Sequence, residues 1–306
     1  MAEVLDSGRA SIRIASAPIN WGVTRLDPAN PLAHAVLDAV VADGYQGCEL
    51  GPIGYLAGTL EEVALRYGAL ELELVSAFVA TDLARPLTDA FLNKVDTVAS
   101  LLAGSGAKVL LLSDGMPTER WAVAGRSDHH PETWWTDDDW RRARENVRIV
   151  RDRVAVHGLS LAFHPHTGSH VENGREIACL FDTFGDDAPL LCLDTGHILI
   201  GGANPVDVLN RYGSRLAHVH AKDIDGGVLE RMRAGELSYD QAVDAGLFCD
   251  LGDGVVDWDG IRRGIEAVGF TGWVVAEQDR TLTSDVAVPL ASHRRNRAFL
   301  RDLFGA

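Results

Sequence analysis

Leu161-Ala162-Phe163-His164, Leu191-Cys192-Leu193-Asp194, Ala217-His218-Val219-His220 and Val274-Val275-Ala276-Glu277 share one pattern. In each, apolar residues suited to a buried strand lead into a His, Asp or Glu at the C-terminal edge. Strands of a parallel sheet, covered on both faces, read as such near-continuous apolar runs. If repeated β/α units close into a barrel, all strand C-termini meet at one rim, the rim where barrel enzymes carry their chemistry. His164, Asp194, His220 and Glu277 would then converge, and two imidazoles with two carboxylates form a donor set for a divalent metal. Singly, each residue has an ordinary reading. A strand-end Asp often caps the next helix, and a lone His is often a satisfied buried side chain. Four strands ending the same way make the set.

The rest of the chain fits this frame. Strands are expected at residues 12–17, 47–50, 73–79 and 108–113, ahead of the four segments above. Helical periodicity covers 31–43, 59–70, 87–102 and 137–157, then 174–184, 205–212, 259–268 and 286–303, with Thr136 placed to cap the long helix. About eight strands alternating with helices predict an α/β fold, a (β/α)8 TIM barrel over an open sheet. A barrel of ~250 residues is one domain and insertions lengthen it, so residues 1–306 are expected to form a single domain. Two segments exceed the bare barrel. Residues 115–136, after strand four, carry Trp121, His129, His130, Trp134 and Trp135; residues 223–257, after strand seven, are long and rich in Gly and Asp. Loops after barrel strands lie on the active face, so both are read as substrate lids or, equally, as an oligomer interface or packing excursions.

Composition narrows the partners. The 306 residues are 46% hydrophobic and 24% charged, with a formal net charge of −16. That balance suits a globular enzyme, and no basic tract offsets the acidity, so nucleic-acid binding is not expected. Cys48, Cys179, Cys192 and Cys249 form no C-x-x-C pair and are read as reduced thiols, Cys48 and Cys192 within strands. No signal-length apolar run opens the chain and no 18-residue uncharged apolar run follows, so neither export nor membrane insertion is expected and a cytoplasmic location is.

Further residues cluster near the same rim. His197, three after Asp194, is a further ligand, a partner of a ligand, or an acid/base group. Lys222 follows His220 by two and could stabilise an enolate; a solvated Lys opening a loop is the alternative. Asp223 orients a ligand or caps the loop. Glu49 ends strand two without an obvious partner, and is either an acid/base group, a substrate contact or half of a salt bridge. Asn20 and Trp21 would supply an amide and an aromatic wall for a polyol. Arg280, three past Glu277, could bind a substrate oxygen. His166 competes with His164 for the fourth ligand position or contacts substrate. Mixed N/O ligation suits Mn, Co, Zn, Fe or Mg.

At Asp194-Thr-Gly-His197, His218-Val-His220-Ala-Lys222-Asp223 and Ala276-Glu277 the chain resembles the xylose-isomerase-like barrel superfamily of sugar isomerases and epimerases. Residues 17–23 (APINWGV), 44–51 (GYQGCELG), 163–168 (FHPHTG) and 251–257 (LGDGVVD) are similar to inosose dehydratases within it. Many epimerases of the superfamily have Glu where this chain has His164, which tilts the resemblance from epimerisation toward water elimination. The resemblance implies a metal-dependent dehydratase of a cyclic polyol ketone such as 2-keto-myo-inositol. One divalent ion is implied, Mn2+ or Co2+ favoured, with Zn2+, Mg2+ or Fe2+ compatible. The ligand set is His164, Asp194, His220 and Glu277; proton transfer falls to Glu277, His197, Glu49 or His166, with Lys222 at the enolate oxygen. Ketose epimerase or sugar isomerase is the alternative on the same site, with a dehydroshikimate-type dehydratase, an abasic-site endonuclease and a non-catalytic sugar-binding barrel further off. The expected partner is a small cyclic polyol or sugar, and a homo-oligomer is allowed for.

Overall fold

The computed structural model describes residues 12–306; the opening stretch 1–8, expected to lack a signal-length apolar run, lies outside them. Parallel strands form one sheet: β1 (Ile12–Ser16), β2 (Gly47–Cys48), β3 (Glu73–Leu74), β4 (Phe78–Thr81), β5 (Val109–Asp114), β6 (Ser160–Phe163), β7 (Leu190–Asp194) and β8 (Leu216–Ala221), with β11 (Gly272–Ala276) at the end of the chain. Its order is β3-β2-β1-β11-β8-β7-β6-β5-β4. Residues 73–79, expected as one strand, are two pieces that pair with opposite neighbours, β3 with β2 and β4 with β5. The intervening residues close the ring. Val75 N donates to Cys48 O (3.2 Å), Leu50 N to Ser76 O (3.0 Å), and Leu111 N to Ala77 O (2.9 Å). The ladder therefore changes sides within this segment, and the expected eight-stranded barrel is recovered with its third strand interrupted.

Alternation along the strands sorts side chains between the barrel interior and the helix layer. Ile14, Leu110, Leu112, Phe163, Leu191, Leu193, Val219 and Val274 belong to the large core beneath the helices. The intervening residues form small clusters inside: Ala15, Ala17, Val75 and Val275 in one, Leu111, Ala162 and Cys192 in another. His164, Asp194 and Glu277 continue the interior parity of Ala162, Cys192 and Val275, and His218 and His220 alternate with the outward Val219. Small residues are needed within: a Cβ on Gly47 would lie 2.4 Å from Val75 Cγ1. Cys48 and Cys192 are buried free thiols, as expected.

Helices follow the expected rhythm, with instructive shifts. The long helix is Asp137–Val156, and Thr136 caps it in a reciprocal box with Asp139. The final helix is Leu290–Phe304, starting after Pro289 and not at 286, because a residue before proline is pushed out of the helical region. The two excursions are structured. Residues 115–136 include the helical turn Thr118–Trp121. Residues 223–257 hold an antiparallel pair, β9 (Asp223–Ile224) with β10 (Phe248–Cys249), and helices Gly226–Arg233 and Tyr239–Asp244. The two excursions pack on each other: Ala124, Leu229, Met232, Tyr239 and Phe248 share a core with Ile200, and Trp121 meets Tyr239 edge-on at 4.8 Å. Trp134 lies under Arg175, and Trp135 stacks on His170, so all three tryptophans find partners within the chain. No helix among the described residues is long and apolar enough to cross a membrane.

Candidate metal centre

The four strand-end residues converge. Donor atoms of Asp194, His220 and Glu277 lie within 4.8 Å of one another. His220 Nδ1 is 3.1 Å from Glu277 Oε2 and 3.5 Å from Asp194 Oδ2. His164 Nε2 is 3.1 Å from Asp194 Oδ2, and its ring centroid lies 4.8 Å from that of His220. All four are buried. Each is delivered by local structure: β7 runs directly into the helix Thr195–Ile200, and Asp194 Oδ1 caps it by accepting His197 N at 2.7 Å, leaving Oδ2 to face the imidazoles. Asp194 thus caps the helix with one oxygen and keeps the other turned to the cluster.

Lys222 enters the same cluster. Its ammonium lies 3.1 Å from Glu277 Oε2 and 3.7 Å from Asp194 Oδ2, and pairs closely with Asp279. It is buried, which answers the solvated-lysine alternative. His197 sits alongside, Nε2 3.3 Å from Lys222 Nζ and Nδ1 2.8 Å from Thr167 Oγ1. The His166 ring lies over His197 at 3.8 Å and is partly exposed. Its Nδ1 is engaged with Thr167 O at 2.8 Å, so Nε2 is the nitrogen left for another partner.

Electrostatics follows the geometry. Burial would raise the Asp194 carboxyl, but His197 and Lys222 with a hydrogen bond from His164 hold it well below the usual carboxylate range. Burial would lower His220, yet the carboxylates Glu277 and Glu49 raise it well above the ordinary imidazole value. Burial pushes His164 down to about 4 despite Asp194, and His166 well down, with His197 and His164 adding to it. Lys222 is raised, Asp279, Glu277 and Asp194 outweighing its desolvation.

These residues fit a divalent cation. His164 Nδ1 and His220 Nδ1 are buried with no hydrogen-bond partner, and native interiors rarely leave such atoms orphaned. Asp194, Glu277 and Asp279 crowd around the one ammonium of Lys222, a buried charge arrangement that a further cation would complete. The other face of His220 is already held: Nε2 is 3.0 Å from Glu49 Oε1.

Several expectations need correction. Glu49 has partners: His218 Nε2 at 2.9 Å, His220 Nε2, and the Ser76 hydroxyl, all on Oε1. Burial would raise its carboxyl, but the two histidines hold it well down. Glu49 Oε1 therefore holds the Nε2 side of His220, the salt-bridge reading of the three. Trp21 is no exposed wall. It is fully buried in the main core, its Nε1 donating to Val286 O (3.2 Å) and its ring 5.0 Å from His293. Asn20 is also engaged within the protein: Nδ2 donates to Ser16 Oγ (3.0 Å) and Ala276 O (2.9 Å), and Oδ1 accepts Gln278 N (2.8 Å). Arg280 turns aside to Gln278 Oε1 (2.6 Å), with Asp250 as its charged neighbour. Its neighbour Asp279 is the residue that faces the cluster, against Lys222 and His197. Asp223 caps the excursion, accepting Gly252 N and Gly254 N on Oδ2 and Val256 N on Oδ1.

Asp279, Tyr239, Phe248, Thr167 and His218 went unrecognised in the sequence. Asp279 and His218 could have been found from alternation, two residues from Glu277 and His220. Tyr239, whose hydroxyl is 3.4 Å from Asp279 Oδ2, and Phe248, whose ring is 5.8 Å from His197, arrive on the excursion and carry no local signal.

The fold and site define a closed parallel barrel that gathers acidic and imidazole groups at its C-terminal rim. The family model for the xylose isomerase-like TIM barrel matches residues 37–303, and the chain belongs to that family. It is 32% identical over 274 residues to the rhizopine catabolism protein MocC of Rhizobium meliloti, covering 88% of this chain and 82% of that one. It is 27% identical over 277 residues to inosose dehydratase of Lacticaseibacillus casei (strain BL23), covering 89% and 90%. Among solved structures it superposes on the IOLI protein, determined with a binding zinc atom, with a TM-score of 0.71 at 13% identity, covering 96% and 98%.

Proposed function

We propose that the protein is a metal-dependent dehydratase of a cyclic polyol ketone, an inosose such as 2-keto-myo-inositol, built as one barrel domain over residues 1–306 and acting in the cytoplasm. The observation that carries the metal reading is the pair of orphaned, buried nitrogens on His164 and His220 beside the carboxylates of Asp194 and Glu277. The relatives named inosose dehydratase support the substrate class. His164, Asp194, His220 and Glu277 would hold the ion. His164 is preferred to His166 because it contacts Asp194 and lies beside His220, whereas His166 groups with His197 and Asp279. When bound, the ion supplies Lewis-acid polarisation of the ketone, which acidifies the adjacent C–H. Mn2+ or Co2+ is favoured, and Zn2+, Mg2+ or Fe2+ is compatible with the same donors.

The chain's own residues supply the rest. Elimination moves the α-proton to a base, turns the C–H electron pair into a C=C bond, and releases the β-hydroxyl with a proton as water. Lys222 stands where negative charge develops on the ketone oxygen and is fixed by Asp279 and Glu277, so it needs no reorganisation. His166, kept neutral by burial, with its Nε2 uncommitted and its ring partly exposed, is the group suited to accept a proton from substrate. His197, against Lys222 and Asp279, is suited to hand a proton to the departing hydroxyl. Tyr239 and Phe248 close the site from above and limit water entry.

The test is an assay of purified protein with inosose and Mn2+ or Co2+. The expected result is ultraviolet absorbance of the hydroxy-enone, the enol form of the 1,2-diketone left by loss of one water, absent from Glu277→Gln. Inversion of a ketose centre, with solvent deuterium incorporated and no water lost, would replace this reading with epimerisation.

A further inference from the structure

We infer that Asn20, Ser16, His293 and Asp43 form a buried positioning relay that sets the backbone on both sides of Glu277; this rests on reading Glu277 as a metal-site residue. Asn20 grips the two residues flanking Glu277, donating to Ala276 O and accepting from Gln278 N. Glu277 itself donates its N–H to Ala221 O at 3.0 Å, so three consecutive residues at the end of β11 are held. The second Asn20 amide hydrogen goes to Ser16 Oγ. Ser16 Oγ lies 2.8 Å from His293 Nε2, and His293 Nδ1 lies 2.7 Å from Asp43 Oδ2.

For neutral His293, one hydrogen assignment satisfies the whole line. Ser16 accepts from Asn20, donates to His293 Nε2, and His293 Nδ1–H donates to the Asp43 carboxylate. Ser16 is fully buried and His293 nearly so, so this Ser-His-Asp order has no access to substrate and its hydroxyl is no nucleophile. The His293 ring is sandwiched between Tyr45 (4.3 Å) and Trp21 (5.0 Å). That explains why Trp21 adjoins Asn20: one residue grips Glu277's neighbours, the next packs the histidine behind it. The turn is completed by Gly22 at φ +73°, where a Cβ would lie 2.5 Å from Leu282 N and Cα. Trp21 O accepts Thr283 N at 3.1 Å. The segment carrying Glu277 and Asp279 has no regular structure of its own and takes its shape from this turn.

The test measures Co2+ affinity by competition with a chromophoric chelator, together with kcat, KM and the thermal midpoint. Asn20→Ala is expected to weaken Co2+ binding by about 10–100-fold, as loss of a ligand's supporting bonds typically does, and to lower kcat more than it changes KM. His293→Leu should weaken binding in the same direction. His293→Gln, whose Oε1 can accept from Ser16, should regain most of what His293→Leu loses. Wild-type affinity in folded Asn20→Ala, or equal affinity in the Leu and Gln variants, would overturn the relay; the His293 pair decides if Asn20→Ala does not fold. Wild-type protein that binds Co2+ but leaves inosose unchanged would remove the dehydratase reading alone, with the affinity series still judging the relay. A wild type that binds no Co2+ would overturn both.

Discussion

Around the rim, the ends of β6, β7, β8 and β11 leave His164 Nδ1 and His220 Nδ1 without partners amid crowded carboxylates. The ends of β1 and β2 do the reverse: Asn20, Trp21 and Glu49 bond within the protein. Both halves were equally suggestive as sequence, with polar residues just past apolar strands. What separates them is whether each polar atom has a protein partner. A buried donor or acceptor is costly to leave unmade, so the unsatisfied imidazole nitrogens beside carboxylates motivate the metal proposal on the first side. The satisfied ones mark a frame that holds the first side in place. Glu49 links the halves, since its carboxylate fixes Nε2 of the histidine whose Nδ1 faces Glu277 and Asp194.

This contrast can be broken from either side. The largest effect should come from Glu277→Gln, with kcat/KM on inosose falling about 10²–10⁴-fold, the range for losing a group that serves the reacting centre; steady-state kinetics at saturating metal measures it. Lys222→Met should lower kcat by roughly 10²–10³-fold. It also leaves Asp279 and Glu277 without their buried counter-charge, so urea unfolding of the metal-free protein should show a loss of about 3–5 kcal/mol. Glu49→Gln keeps the shape but weakens the bond orienting His220. Metal affinity should drop about 10–100-fold while KM for substrate stays near wild type, measured by chelator competition; a raised KM with unchanged metal affinity would return Glu49 to the substrate side. Trp21→Phe should have the smallest effect, about 1–2 kcal/mol of stability from the lost indole volume and N–H bond, with KM unchanged. A several-fold rise in KM would restore Trp21 as a substrate wall.

Much of the fold was legible because strand runs and helix periods are local signals. Val109–Asp114 and Asp137–Val156 emerge nearly where expected. The split at residues 75–77 was not legible, since it depends on which neighbours the ring closure brings to each half. The helices within 223–257 were masked by Gly226-Gly227, although Asp225 and the Ser238/Gln241 pair cap them properly. At the rim, strand-end position was enough to bring Asp194, His220, Glu277 and Lys222 into one cluster. Arg280 reads in the sequence as a substrate contact, whereas two-residue alternation from Glu277 puts Asp279 on the cluster's side.

The sequence by itself determined a β/α barrel, because its apolar strands and amphipathic helices have few other ways to bury both sheet faces. It also determined that His164, Asp194, His220 and Glu277 would meet, because parallel strands in one ring share a C-terminal rim. Only the tertiary structure decided which rim residues stay free and which are engaged. That depends on hydrogen bonds spanning more than 250 residues, such as Asn20 to Ala276 and Ser16 to His293. Partners that far apart leave no periodic trace in the chain, and the direction of a side chain's last polar atom is fixed only once they are in place.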